Sequence, residues 1–129
     1  MSESIQNAMV WRAGTDKHGE FISAGALKAA VAEYATRLPL PISLDFDDRL
    51  PPVGLVNAAR FEGGAFIVDG LLWEPTIPQP GEHLRPAISV YDSDVEKRDG
   101  GRMIWKCEIS GVSLCAALTP TPLPPLETN

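Results

Sequence analysis

Ser113, in the stretch SGVSLCA, sits between alternating apolar residues on a predicted strand, where a hydroxyl could serve as a nucleophile. A serine does so only with a general base within hydrogen-bond reach. The natural base is histidine, and the chain has two: His18 in a polar turn and His83 in a Pro/Gly loop. Ser89 and Ser110 are weaker alternatives. A second group of reactive types is Asp45, Asp47 and Asp48, which close the stretch LPLPISLDFDD around Phe46. Clustered carboxylates can hold a divalent cation or divide acid and base roles between them. Their spacing is not that of a calcium loop, and a solvated strand end or turn is the expectation. Cys107 and Cys115 lie in apolar alternating runs and are read as buried, reduced thiols. Two cysteines and two distant histidines are too few for a zinc site, so no metal and no cofactor is expected. Phosphate-cradling glycine patterns are absent.

The elements that must position these residues follow from periodicity. Residues 1–7 are polar and expected to be loose, and Ala8–Arg12 reads as a short strand before a turn at Gly14–Gly19. Ser23 offers an N-cap hydroxyl to AGALKAAVAEYATRL, in which Leu27, Ala30, Val31, Tyr34 and Leu38 form one helical face. Pro39 requires the helix to end before it. Strands are expected at Ile42–Phe46 and Val53–Phe61, the latter joined through Gly63-Gly64 to a hairpin partner at Ala65–Trp73. A proline loop covers residues 74–82, and His83–Arg98 is ambiguous between strand-plus-turn and helix. After a turn at Asp99–Gly101, Arg102–Ile109 alternates with Met103, Trp105, Cys107 and Ile109 on one face. Gly111 permits a bend before a last strand over Val112–Leu118.

One helix followed by strand after strand predicts an α+β class: a small, mostly antiparallel β-barrel or sheet of five to seven strands with one helix in the N-terminal half. The 129 residues suit a single domain over 1–118 with a proline-rich extended tail over 119–129. A formal net charge of −6 with scattered Lys and Arg argues against free nucleic acid as a partner. No apolar run approaches a membrane span, so no membrane partner is expected, and the N-terminus has no secretion signal.

The order of parts resembles the herpesvirus assemblin family and the related prohead (capsid maturation) proteases of tailed bacteriophages. The resemblance rests on Leu38, Pro39, Leu40, Pro41, Asp47, Asp48, Val53, Gly54 and Val56, and on Gly111, Val112, Ser113 and Leu114 in a Gly-hydrophobic-Ser-Leu strand. It spans most of residues 9–118. It implies an assemblin-like fold with Ser113 at the nucleophile position. It also implies a catalytic histidine where this chain has Phe46. A phenyl ring moves no proton, so the site reads as degenerate and no catalytic residue is expected. The family's third triad member and oxyanion loop lie downstream of the serine, and only eleven residues follow Leu118 here. Phe46 is expected to pack beside Ser113, filling the imidazole's place.

The resemblance thus implies a non-enzymatic, capsid-associated bacteriophage protein (decoration, minor capsid or assembly protein). It would be made in the bacterial host cytoplasm, incorporated in the virion and homo-oligomeric, with the major capsid protein as partner. Tail residues Pro120, Pro122, Leu123, Pro124, Pro125 and Leu126 are the expected docking segment. The alternative from another class is an active prohead maturation serine protease using Ser113 with a displaced base. A third is a generic β-rich binding domain.

Overall fold

The computed structural model describes residues 3–15, 20–47, 49–73, 84–90, 95–98 and 101–115. Ten strands and one helix are formed there: β1 (Glu3–Arg12), β2 (Gly14–Thr15), β3 (Glu20–Ile22), α1 (Ala24–Ala35), β4 (Leu40–Leu44), β5 (Gly54–Glu62), β6 (Ala65–Leu72), β7 (Leu84–Ser89), β8 (Val95–Arg98), β9 (Gly101–Ile104) and β10 (Glu108–Leu114). Six strands form the main sheet in the order β1-β6-β5-β4-β10-β7, and four form a small sheet in the order β2-β3-β9-β8. Within the main sheet only the β4–β10 pair is parallel. The sheet curls until its two outer strands, β1 and β7, approach each other. The class is α+β, with a curled, mostly antiparallel sheet.

Helix α1 starts where the sequence places it. Ser23 is extended at φ −69° and ψ 151°, and its hydroxyl accepts the Ala26 N–H at 3.0 Å. That bond satisfies one of the donors that a helix start leaves open. Ala26, Leu27, Ala30, Val31 and Tyr34 are buried against β5, β10 and β6. The helix stops at Ala35, where the Thr36 hydroxyl bonds back to the Glu33 carbonyl at 2.6 Å. Leu38 therefore packs on the core from beyond the helix end, half-buried. Below α1, Ile42, Val56, Phe66, Leu72, Leu84 and Leu114 are fully buried. The Tyr34 and Phe66 rings meet edge to face, with centroids 5.5 Å apart.

Several elements differ from the periodic reading. Residues 3–7 are not loose: they extend β1 along β6, pairing Glu3 with Leu72 and Ile5 with Gly70. Among residues 4–7 Ile5 alone is buried, so a strand held mainly by backbone bonds leaves almost no apolar alternation to read. Irregularities between Ile5 and Ala8 and between Met9 and Trp11 shift the inward face, so Val10 and Trp11 are both buried. The strand expected over Ile42–Phe46 stops at Leu44. The run expected over Arg102–Ile109 is two strands, with residues 105–107 crossing from the small sheet to the large one. The crossing resets the alternation: Ile104, Cys107 and Ile109 are buried, and Trp105 is half exposed. The last strand begins at Glu108, not Val112, and bulges opposite β7 between Ile109 and Gly111. The ambiguous segment resolves into strands β7 and β8. The turns at 16–19 and 99–100, the loop 74–82, residues 116–118 and the tail lie outside the described residues.

Two glycines let β5 and β6 approach. A Cβ on Gly54 would lie 2.1 Å from the Leu71 carbonyl oxygen, and one on Gly70 would lie 2.1 Å from the Leu55 oxygen. Both obstacles are backbone, which cannot move aside without breaking the ladder. Gly70→Ala should therefore lower stability by about 1–3 kcal/mol in a urea titration, the range of overpacked interiors.

Tyr34 supplies a second expectation. Its ring is fully buried and its hydroxyl has no hydrogen-bond partner, while the Arg37 guanidinium sits 5.6 Å from the ring centre. Burial pushes the phenol up to about 12, with Arg37 opposing. The folded phenol thus stays neutral where the unfolded one ionises. Its contribution is intact below pH 10 and is lost as pH rises toward 12. Tyr34→Phe removes an unsatisfied hydroxyl, so it should leave neutral-pH stability unchanged or higher. It should also flatten the fall above pH 10 by up to about 1.4 kcal/mol per pH unit, read from urea midpoints across that range.

Candidate functional site

Strand β4 is braced on one side by β5, where Leu40 faces Val56, and on the other by β10, where Ser43 faces Ser113 and Leu44 faces Leu114. This parallel pairing brings the LPLPISLDFDD stretch and the SGVSLCA stretch side by side. Beyond Leu44 the chain turns at once. Asp45 and Phe46 both have positive φ, 51° and 57°, and the Asp47 N–H donates to the Leu44 carbonyl at 3.0 Å. Positive φ at both central residues is the type I′ pattern, which glycine and asparagine enter at least cost.

Ser113 locks this turn to β10. Its hydroxyl accepts the Phe46 backbone N–H at 2.8 Å and donates to the Ser43 carbonyl at 3.2 Å. The Asp45 N–H donates to the Leu114 carbonyl at 3.0 Å. Ser113 is fully buried. Cys115 lies next along the same face. Burial and the Asp45 charge raise its thiol, against the opposing effects of Arg85 and a hydrogen bond with Ser113. Cys107 is pushed up to about 12 by burial and by Glu108. Both sulfurs are buried and no disulfide joins them.

Position 46 and Ser113 are therefore neighbours, but through the backbone. Phe46 is 46% exposed, so the expected packing of the ring into an imidazole's place is not found. The left-handed turn carries the side chain off the end of the sheet while its N–H turns inward. His18 and His83 lie outside the described residues, as does Asp48. Of the two described aspartates, Asp45 is a central turn residue, and Asp47 binds Arg49 through both oxygens, at 2.9 and 3.1 Å. That pairing holds the Asp47 carboxyl below its ordinary range. Among the described residues no group of three His, Cys, Asp or Glu is placed to hold a metal ion. No described helix is long and apolar enough to cross a membrane.

Two features escaped the sequence reading. The first is a polar recess of about 330 Å³ lined by Ser4, Gln6, Asn7, Asn57 and Asp69. Asp69 accepts the Asn7 N–H at 2.7 Å and the Arg60 guanidinium at 3.0 Å, which together depress its carboxyl despite some desolvation. Arg60 also binds Glu62 and the Asn7 side chain. A lone acid inside the apolar strand AFIVDGLL was the available signal. The second is a set of exposed apolar residues, Phe46, Leu50, Pro51, Pro52 and Trp73, around the turn.

No family model, no curated protein and no solved structure matches the chain.

The role of Ser113 as a turn clamp has a measurable consequence. Ser113→Ala leaves the Phe46 N–H buried without its acceptor and should cost about 1–3 kcal/mol in chemical denaturation. Phe46→Gly should act oppositely, stabilising by about 0.5–1 kcal/mol, because glycine occupies positive φ without the Cβ penalty. Equal stability of wild type and Ser113→Ala would refute the clamp.

Proposed function

We propose that this chain is a non-enzymatic, capsid-associated structural protein of a tailed bacteriophage, built on a degenerate prohead-protease-like, assemblin-like fold. The observation that supports it is the meeting of position 46 with Ser113 across 67 residues. The resemblance pairs a general base with a nucleophile at these two positions. Here the first is a phenylalanine with its ring turned outward, and the second spends its hydroxyl on a backbone N–H and a carbonyl. A serine bonded in this way gives its proton to a backbone carbonyl, and no general base accepts it among the described residues. The scaffold is thereby suited to binding, with the major capsid protein as partner and a homo-oligomeric form in the shell. Residues Pro120, Pro122, Leu123, Pro124, Pro125 and Leu126 form its adhesive segment. The net charge of −6 suits a face turned away from packaged DNA.

Mass spectrometry of purified particles, counting this chain per major capsid protein, tests the reading. A fixed near-stoichiometric ratio in mature particles is expected for a decoration role. A copy confined to immature shells would mean an assembly factor. Absence from both would overturn the proposal. Capsid-protein masses should be the same with wild-type chain and with folded Ser113→Ala. Processing that stops in the variant would replace this reading by an active serine protease.

A further inference from the structure

Helix α1 and the residues that cross from β9 to β10 flank a recess of about 240 Å³. Two bonds fix its sides. The Ser23 N–H, just before the helix, donates to the Ile104 carbonyl at 3.4 Å, and the Arg37 guanidinium, beyond the helix end, donates to the Ile109 carbonyl at 2.5 Å. Between these ties the helix contributes only Gly25, Ala26, Ala29 and Ala30 and, at one end, Glu33, so short side chains leave the space unfilled. Ala26, Ala30 and Cys107 are buried and make its inner side. Ala29 and Trp105 are exposed and make its mouth.

Trp105 is 51% exposed, and its indole N–H donates to the Glu96 carboxylate at 3.1 Å. That bond holds the ring at the mouth and satisfies its one polar atom. Two further carboxylates, Glu33 and Glu108, line the recess beside a single ammonium, Lys106. Arg37 takes one Glu33 oxygen at 3.0 Å and is otherwise turned to the Ile109 carbonyl and the Tyr34 ring. Glu108 acts on the inner side: its charge adds to burial in pushing the Cys107 thiol up to about 12. An aromatic face among carboxylates, above an apolar floor, is complementary to a cation carried on an apolar stem. Size points to the source. Small-molecule sites begin at about 300 Å³, whereas a single anchoring side chain of a protein partner fills a smaller pocket. Arginine suits it better than lysine, because a planar guanidinium stacks on a ring and offers paired N–H groups to a carboxylate.

We propose that the recess between α1 and residues 105–108 receives one arginine side chain of a separate partner protein. Its stem lies against Ala26, Ala30 and Cys107, and its guanidinium stacks on Trp105 and binds Glu108. The two ties hold the recess open in advance, so docking needs little ordering of this chain. The site rests on the recess and its charges, not on the capsid reading, and stands or falls separately.

The probe is arginine capped as the N-acetyl, N-methylamide derivative, titrated into the isotope-labelled full-length chain. Nuclear magnetic resonance should show saturable shifts at the Trp105 indole N–H and at the amides of Ala29, Cys107 and Glu108. The neutral citrulline analogue should produce no saturable shift. Trp105→Ala should weaken binding about fivefold, the size of a solvent-facing cation–π contact, and Glu108→Gln should weaken it as well. Ala29→Leu fills the recess from an exposed helix position that leucine suits, and should abolish binding while the chain stays folded. No saturable shift with the arginine probe, equal binding of citrulline, or unchanged binding in folded Ala29→Leu would overturn the proposal. Tighter binding of propylguanidine, the same side chain without a peptide backbone, would assign the recess to a small free cation and overturn the protein source. Light scattering covers the remaining occupant. A dimeric wild type that becomes monomeric in Ala29→Leu would assign the recess to a second copy of this chain and overturn docking of a separate partner.

Discussion

The parallel contact between β4 and β10 is the constraint on which the rest of this protein depends. It joins the first half of the chain to the last, with Ser43 opposite Ser113, and completes the sheet between the β5–β6 hairpin and β7. Parallel neighbours cannot be linked by a tight turn, so the intervening residues must travel through the rest of the sheet before the pair can close. The Ser113 hydroxyl then fixes the far end of the contact by binding one group on each side of the turn, Ser43 and Phe46. Burying a hydroxyl costs free energy unless its bonds are made, and Ser113 makes one to a backbone N–H and one to a backbone carbonyl. The residue that looks most reactive in the sequence is thus an organiser of local structure.

From that contact the remaining features follow. With β4 held between β5 and β10, helix α1 lies over the curled sheet and buries its Ala26–Tyr34 face. With the turn at Asp45–Phe46 clamped, the aromatic ring cannot retreat into the core and is left facing solvent. The proposal that this is a binding scaffold draws on the same geometry. A hydroxyl committed inward and a ring committed outward make a surface for contact more readily than a centre for proton transfer.

The helix was legible because its signals are local: a serine cap, an apolar stripe at helical spacing and no proline within it. The β5–β6 hairpin was legible because Gly63-Gly64 separates two apolar runs, and both glycines take positive φ. The first residues of β1 were not, since their partner is a strand some sixty residues away and only Ile5 among residues 4–7 is buried. The break between β9 and β10 was hidden for a related reason. An alternating run looks continuous in sequence even where the chain changes sheets and its inward face changes with it.

The sequence by itself determined the class of fold, the helix and its cap, the turn glycines and the buried thiols. Each rests on residues within about one turn or one strand of each other, where periodicity carries the information. Only the tertiary structure decided that Phe46 points outward while its amide points in, that Ser113 is a clamp, that Asp47 belongs to Arg49, and that Asn7, Arg60 and Asp69 form one network. Those facts depend on register between distant strands and on the sign of φ in a two-residue turn. Both are set by the closing of the sheet and leave no periodic trace in the chain.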